Sequence, residues 1–305
     1  MPYRYLGENA FDDEKYLKAL NYFKKAYTLG DKSNELLLNL ALTYEALGNT
    51  EKALETFHEL LTVYPDECRA YYGIGSILDD TGDLKTAVTY YEKAVALNPF
   101  YDRAYFLLAS GYDELGETQK AIDTYLLLLN LVPDDFWGLI NLGAIYESQQ
   151  DYTSAYKLFS KAYAINPKHP TALFNMGVIC NRLQNYEDAI YFYKKAIEVD
   201  TSSPYTFLNL GVLYKDLGDL NKGLEYLSLG IKYHPETSFL YYNRACFWAL
   251  AFDAFYKTNH VYDYTLRDKS VWDLQKAIAI NSDFLEYAKK DKELIQITPF
   301  LKQIL

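Results

Sequence analysis

An all-α solenoid of stacked helix–turn–helix units is the fold class that this 305-residue chain predicts. Three observations carry that expectation. First, Pro65, Pro99, Pro133 and Pro167 recur every 34 residues, and Pro235 follows two periods later, with Thr201 at the skipped site. A period of this length is the signature of a stacked repeat array. Second, with that proline at column 32, units begin at 34, 68, 102, 136, 170 and 204, and small and ring residues then fall into columns. Column 8 reads Ala41, Gly75, Ala109, Gly143, Gly177 and Gly211, and column 20 reads Ala53, Ala87, Ala121, Ala155, Ala189 and Gly223. Column 24 reads Phe57, Tyr91, Tyr125, Phe159, Tyr193 and Leu227. Small residues let two helices approach, and the rings fill the space between that pair and the next. Third, Gly48, Gly82, Gly116 and Gly218 stand near column 15, where a glycine past a helix end takes the left-handed conformation at low cost. Gln150 and Gln184 replace it in two units, and those turns are expected to be slightly strained.

In chain order, residues 1–33 read as a first repeat with a clipped first helix, matching the pattern at Tyr16, Ala19, Phe23 and Ala26. Residues 34–237 read as six regular units. Residues 238–283 begin as a repeat at Tyr241, Ala245 and Trp248 and resume at Leu274 and Ala277, with about 13 residues added between. Residues 284–305 are a tail whose Leu294, Ile297, Leu301 and Ile304 follow helical spacing around Pro299. The last repeat of a stack exposes an apolar face, so the tail is expected to cap it. The sharper alternative is an arm that docks on a partner or folds into the groove.

The columns resemble the tetratricopeptide repeat pattern W-x2-L-G-x2-Y, then A-x3-F, A and P, with Tyr, Leu or Phe here in place of the Trp. The resemblance implies a right-handed α-α superhelix whose concave face is lined by the first helix of each unit, through columns 2, 5, 6, 9, 12 and 13. On that face, column 6 holds Asn39, Gly73, Leu107, Asn141, Asn175, Asn209 and Asn243. A side-chain amide has two donors and an acceptor, which suits bidentate pairing with a peptide backbone. The asparagine ladder resembles the inner face of the repeat domain of O-linked N-acetylglucosamine transferase, but no glycosyltransferase domain follows here. The other reading is that these amides fasten neighbouring helices together.

Bulky neighbours read either as side-chain pockets between the amides or as ordinary packing between neighbouring first helices: Tyr242 at column 5, and Trp137, Tyr205 and Phe239 at column 2, with Trp137 the expected hot spot. Glu45, Asp79, Asp113 and Glu147 form an acidic rim that gives way to Arg182 and Lys215, which reads either as a gradient that would orient a ligand with basic residues toward the N-terminal repeats or as solvated helix ends with no partner. A carboxylate clamp of the kind that binds chaperone tails is not expected. Column 5 never holds Lys, and Arg69 and Arg103 lack the matching asparagines.

Composition narrows the function. The chain holds 30 Lys plus Arg against 41 Asp plus Glu, a net charge of −11, which disfavours nucleic acid as a partner. Cys68, Cys180 and Cys246 show neither disulfide nor zinc spacing, which fits a reducing, cytoplasmic location. No apolar run suggests membrane insertion. No metal or cofactor is expected: His58, His169, His234 and His260 are scattered, and His169 and His234 read as exposed loop residues. The expectation is a non-enzymatic scaffold holding an extended or helical polypeptide segment in its groove. The alternatives are a peptide-sensing regulator, with the 250–270 insertion as its output surface, and an assembly factor acting through its convex face or tail.

Overall fold

A computed structural model describes residues 2–295 and 297. Among them are seventeen α-helices and no strand. They run in antiparallel pairs: α1 (Pro2–Asp12) with α2 (Tyr16–Thr28), α3 (Asn34–Ala46) with α4 (Thr50–Val63), α5 (Cys68–Asp80) with α6 (Leu84–Leu97), and α7 (Asp102–Glu114) with α8 (Thr118–Leu131). Next in sequence come α9 (Phe136–Ser148) and α10 (Tyr152–Ile165), and the pairing continues with α11 (Pro170–Arg182) and α12 (Tyr186–Val199), α13 (Pro204–Asp216) and α14 (Leu220–Tyr233), and α15 (Ser238–Asn259) and α16 (Tyr264–Ile280). A short α17 (Phe284–Lys290) and a 3₁₀ turn (Lys292–Leu294) end the described chain. The chain divides into two compact units, Met1–Ile145 and Tyr146–Leu305.

The hairpin turns explain the period. Glu14, Gly48, Gly82, Gly116, Gln150, Gln184 and Gly218, each 34 residues from the next, all take positive φ, from +59° to +89°. This is the residue at which the chain reverses between the helices of a pair. Gln150 at +65° and Gln184 at +61° therefore hold a conformation that disfavours a residue with a Cβ. One residue on, Asn49, Asp83, Asp151 and Asp219 accept a backbone N–H three residues ahead and cap the second helix.

Within each unit of the chain the core is a file of rings. In the first, Phe23, Phe57, Tyr91 and Tyr125 are at most 1% exposed, and in the second Phe159, Tyr193 and the aliphatic Leu227 that ends the file are at most 2% exposed. Each ring lies against the small residue 16 positions earlier. A Cβ on Gly75 would meet the Tyr91 ring at 2.6 Å, and one on Gly177 would meet Tyr193 at 2.6 Å. The other side of a ring faces column 6 of the following first helix, where a Cβ on Gly73 would strike Phe57. Columns 8, 24 and 6 thus form one packed layer.

The last pair differs by lengthening rather than by an inserted loop. Compared with α13 and α14, α15 is nine residues longer, α16 three longer and the connection one longer, which accounts for the 13 extra residues. At 1.5 Å per residue, α15 gains about 13 Å of length over a regular first helix. His260, at φ +55°, takes over the left-handed turn. The pair is fastened by a buried fork. Arg244 donates from Nε and Nη2 to the two oxygens of Asp273, each at 2.7 Å, and from Nη1 to Ser228 Oγ at 3.0 Å.

Candidate functional site

The structure splits the asparagine column into three behaviours, which follow the side chain 16 residues upstream. Asn141 Nδ2 donates to the Tyr125 hydroxyl at 3.0 Å, and Asn209 bonds the Tyr193 hydroxyl in the same register. Both tyrosines are buried, and burial raises their pKa while the amide bond opposes the rise. Asn243 follows Leu227 and turns back to the Phe239 carbonyl of its own helix, at 2.8 Å. Asn39 and Asn175 follow Phe23 and Phe159, which offer no hydroxyl, and their amides carry no side-chain hydrogen bond among the described residues. Where Leu107 occupies the column, Tyr91 directs its hydroxyl to Asp79 Oδ2 instead, at 3.3 Å.

The same first helices also carry aromatic walls. In the first unit a cavity of about 210 Å³ opens between α5, α7 and the start of α9, with Tyr72, Arg103, Phe106, Leu107, Asp135 and Trp137 on its walls. The Trp137 ring is about half exposed and meets Phe136 edge-on, with centroids 5.1 Å apart. Asp135 caps α9 by accepting the Gly138 N–H at 2.6 Å, which places Trp137 in the first turn. In the second unit Tyr205 and Phe239 stack with centroids 5.0 Å apart.

The charged residues are more engaged than their order in the sequence suggests. Arg182 donates from Nε to Glu147 at 2.8 Å, so the first basic residue of the gradient is spent on the last acidic one. Lys215 Nζ lies 3.0 Å from Glu293 of the tail. Glu45 is pushed above the usual carboxylate range by burial and by the charge of Asp80, while Asp113 is exposed. Arg69 is held by Glu67 through two bonds of 2.7 Å.

Two histidines differ from the expectation of exposed loops. His169 is half-buried and accepts the Thr171 N–H at 3.2 Å, capping α11, and the half-buried His234 Nε2 lies 2.6 Å from the Thr201 carbonyl. Pattern reading missed the tail chemistry altogether. Asp291 Oδ2 accepts the Tyr242 hydroxyl at 2.6 Å and the Cys246 thiol at 3.7 Å. Cys246, Asp291 and Glu293 are the one cluster of potential metal ligands among the described residues. Burial and the nearby carboxylates push the Cys246 thiol far up, which keeps it a protonated donor to Asp291. Leu294 and Ile297 are fully buried with the apolar side chains of α14, α15 and α16, while Leu301 and Ile304 lie outside the described residues.

Family comparison agrees with the helical layers. Tetratricopeptide repeat profiles match residues 32–99 and 134–202, 72–136, and 204–237, together about two thirds of the chain. The chain belongs to the tetratricopeptide repeat family. A Sel1 repeat profile matches residues 12–31, which hold α2. Among solved structures, a tetratricopeptide repeat protein from Parabacteroides merdae is 22% identical over 87% of this chain and 97% of its own, with a TM-score of 0.61. PilF of Pseudomonas aeruginosa is 20% identical over 67% of this chain and 93% of its own, at 0.57. A chain of the APC/C hetero-tetramer Cut9–Hcn1 is 16% identical over 89% of this chain, at 0.58, and this chain spans only 52% of it. At these identities the likeness is one of fold. No curated protein matches the sequence. No helix among the described residues is long and apolar enough to cross a membrane. The tetratricopeptide fold is an all-α solenoid that serves as a protein-interaction scaffold.

Proposed function

We propose that this tetratricopeptide protein is a non-enzymatic scaffold that holds an extended or helical segment of another polypeptide on the faces built by its first helices. The observation that carries the reading is the cleft between α5, α7 and α9. Rings from three successive first helices wall it, and half of Trp137 is open to a ligand. A large, rigid and partly polar ring in a preformed cleft is the usual anchor of a recognition site. The unbonded amides of Asn39 and Asn175 supply backbone rungs, whereas Asn141 and Asn209 serve the stack and Asn243 its own helix. Tyr205 and Phe239 form an aromatic wall beside Asn209 and Asn243. A structural relative forms part of a hetero-tetramer, in line with assembly as the setting.

The test is selection of peptides on the immobilised full chain, followed by titration of the winners against Trp137→Ala and Asn175→Ala. A hot-spot tryptophan predicts a loss of about thirtyfold or more in affinity for Trp137→Ala. Asn175→Ala is expected to weaken binding by several-fold while the circular dichroism melt stays unchanged. Undiminished affinity in both folded variants would remove the reading.

A further inference from the structure

The geometry points to the inner face of α13 and α15 as a receptor for an acidic–x–acidic–aliphatic segment. The chain's own Asp291-Lys292-Glu293-Leu294 is its resident occupant, and a partner polypeptide carrying the same pattern takes its place. This inference rests on the scaffold reading above and names the chemistry of one of its sites.

Three donors define the receptor, and all three stand at inner-face columns: Lys215 at column 12 of its unit, Tyr242 at column 5 and Cys246 at column 9. Lys215 Nζ meets Glu293 Oε1 at 3.0 Å, and the Tyr242 hydroxyl and Cys246 thiol both donate to Asp291 Oδ2. The second oxygen of Asp291 accepts the Glu293 N–H at 2.8 Å, which presents the two carboxylates side by side. An ammonium, a hydroxyl and a thiol aimed at one place select carboxylates; a basic residue there would leave three donors facing a cation. The aliphatic residue that follows, Leu294, is fully buried, and Phe284 packs on Tyr242 with ring centroids 4.8 Å apart.

The occupant is built to be exchangeable. α17 has seven residues and the turn after it three, both too short to be helical alone. The Lys215–Glu293 pair is about a quarter to a third exposed, which screens it. The tail also hides a reporter, because Cys246 is 2% exposed beneath Asp291.

The experiment uses the full chain, wild type and Asp291→Asn/Glu293→Gln, with two readouts. Maleimide labelling read by mass spectrometry follows Cys246, with Cys180 in α11 as the internal standard. Fluorescence polarisation follows a labelled synthetic peptide of residues 284–297. In the variant, Cys246 is expected to label at least about tenfold faster than in wild type with Cys180 unchanged. The peptide added in trans is expected to restore protection and to bind the variant at least about tenfold more tightly than wild type. A peptide with Asn and Gln at the two acidic positions is expected to do neither. Lys215→Gln cuts the same pair from the receptor side and is expected to speed Cys246 labelling alone. Cys246 labelling no faster in either variant overturns the inference, as does a peptide that protects neither. So does equal acceleration of Cys180 and Cys246 in both variants, which would make the tail part of one cooperative core. The Trp137 and Asn175 variants leave Lys215, Asp291 and Glu293 untouched, so a failed scaffold reading and a failed tail assignment appear in different experiments.

Discussion

Replacing Arg244 by Met tests whether the long C-terminal hairpin depends on its buried ion pair. The Asp273 side chain is 1% exposed, and both its oxygens are held by the Arg244 fork at 2.7 Å. Methionine matches the length of the stem and removes the guanidinium donors, so a carboxylate stays buried without its charged partner, with only the Trp248 side chain still bonded to it. Breaking one side of a buried pair costs about 3–5 kcal/mol, against near neutrality when both partners become apolar. Arg244→Met is therefore expected to raise amide exchange across 238–280 by roughly a hundred- to several thousandfold, read by mass spectrometry, with residues 2–130 little changed. Arg244→Met/Asp273→Leu is expected to recover most of the loss.

The pH dependence carries a sign. Burial already raises the Asp273 pKa above its ordinary 3.8, against the pull of Arg244. Without the guanidinium it rises further. A carboxyl whose folded pKa exceeds its unfolded value favours the folded state below the unfolded pKa and loses that contribution as pH climbs through the folded one. The deficit of Arg244→Met is thus expected to shrink as pH falls from neutrality toward 4. A deficit independent of pH, or one undiminished in the double variant, would refute the account.

The remaining predictions follow from turns and amides. Gln150→Gly and Gln184→Gly release a Cβ from left-handed turns, and each is expected to stabilise the chain by about 0.5–1 kcal/mol in urea melts. Asn209→Ala strips a partner from the buried Tyr193 hydroxyl and is expected to cost about 1 kcal/mol, whereas Asn39→Ala, opposite Phe23, is expected to stay within about 0.5 kcal/mol.

The small and ring residues of columns 8, 20 and 24 were legible in the sequence because they repeat, and repetition isolates a constraint shared by every unit. Pro65 and its counterparts mark the helix ends, and Gly48 and its counterparts mark the turns. The site was less legible, because a side chain's column does not say what it touches. Asn141 and Asn175 occupy the same column, yet one is bonded and the other is not, owing to a hydroxyl on a different helix. Arg182 and Glu147 look like two ends of a gradient until the fold brings them within 2.8 Å. Asp291 and Glu293 lie beyond the last repeat, where no period could indicate that they return to Tyr242 and Lys215.

The dependence of the asparagine on the ring 16 residues before it has a consequence for evolutionary inference. If Asn141 and Asn209 are retained for their tyrosines, substitution of Tyr125 or Tyr193 by Phe relaxes selection on the paired amide, and the two sites covary. Asn39 and Asn175 have phenylalanine upstream and no such partner, so they drift unless something outside the chain holds them. Among descendants of this gene, an asparagine that persists after its tyrosine has been lost would bear the imprint of a ligand. One that disappears together with its tyrosine would record only the architecture.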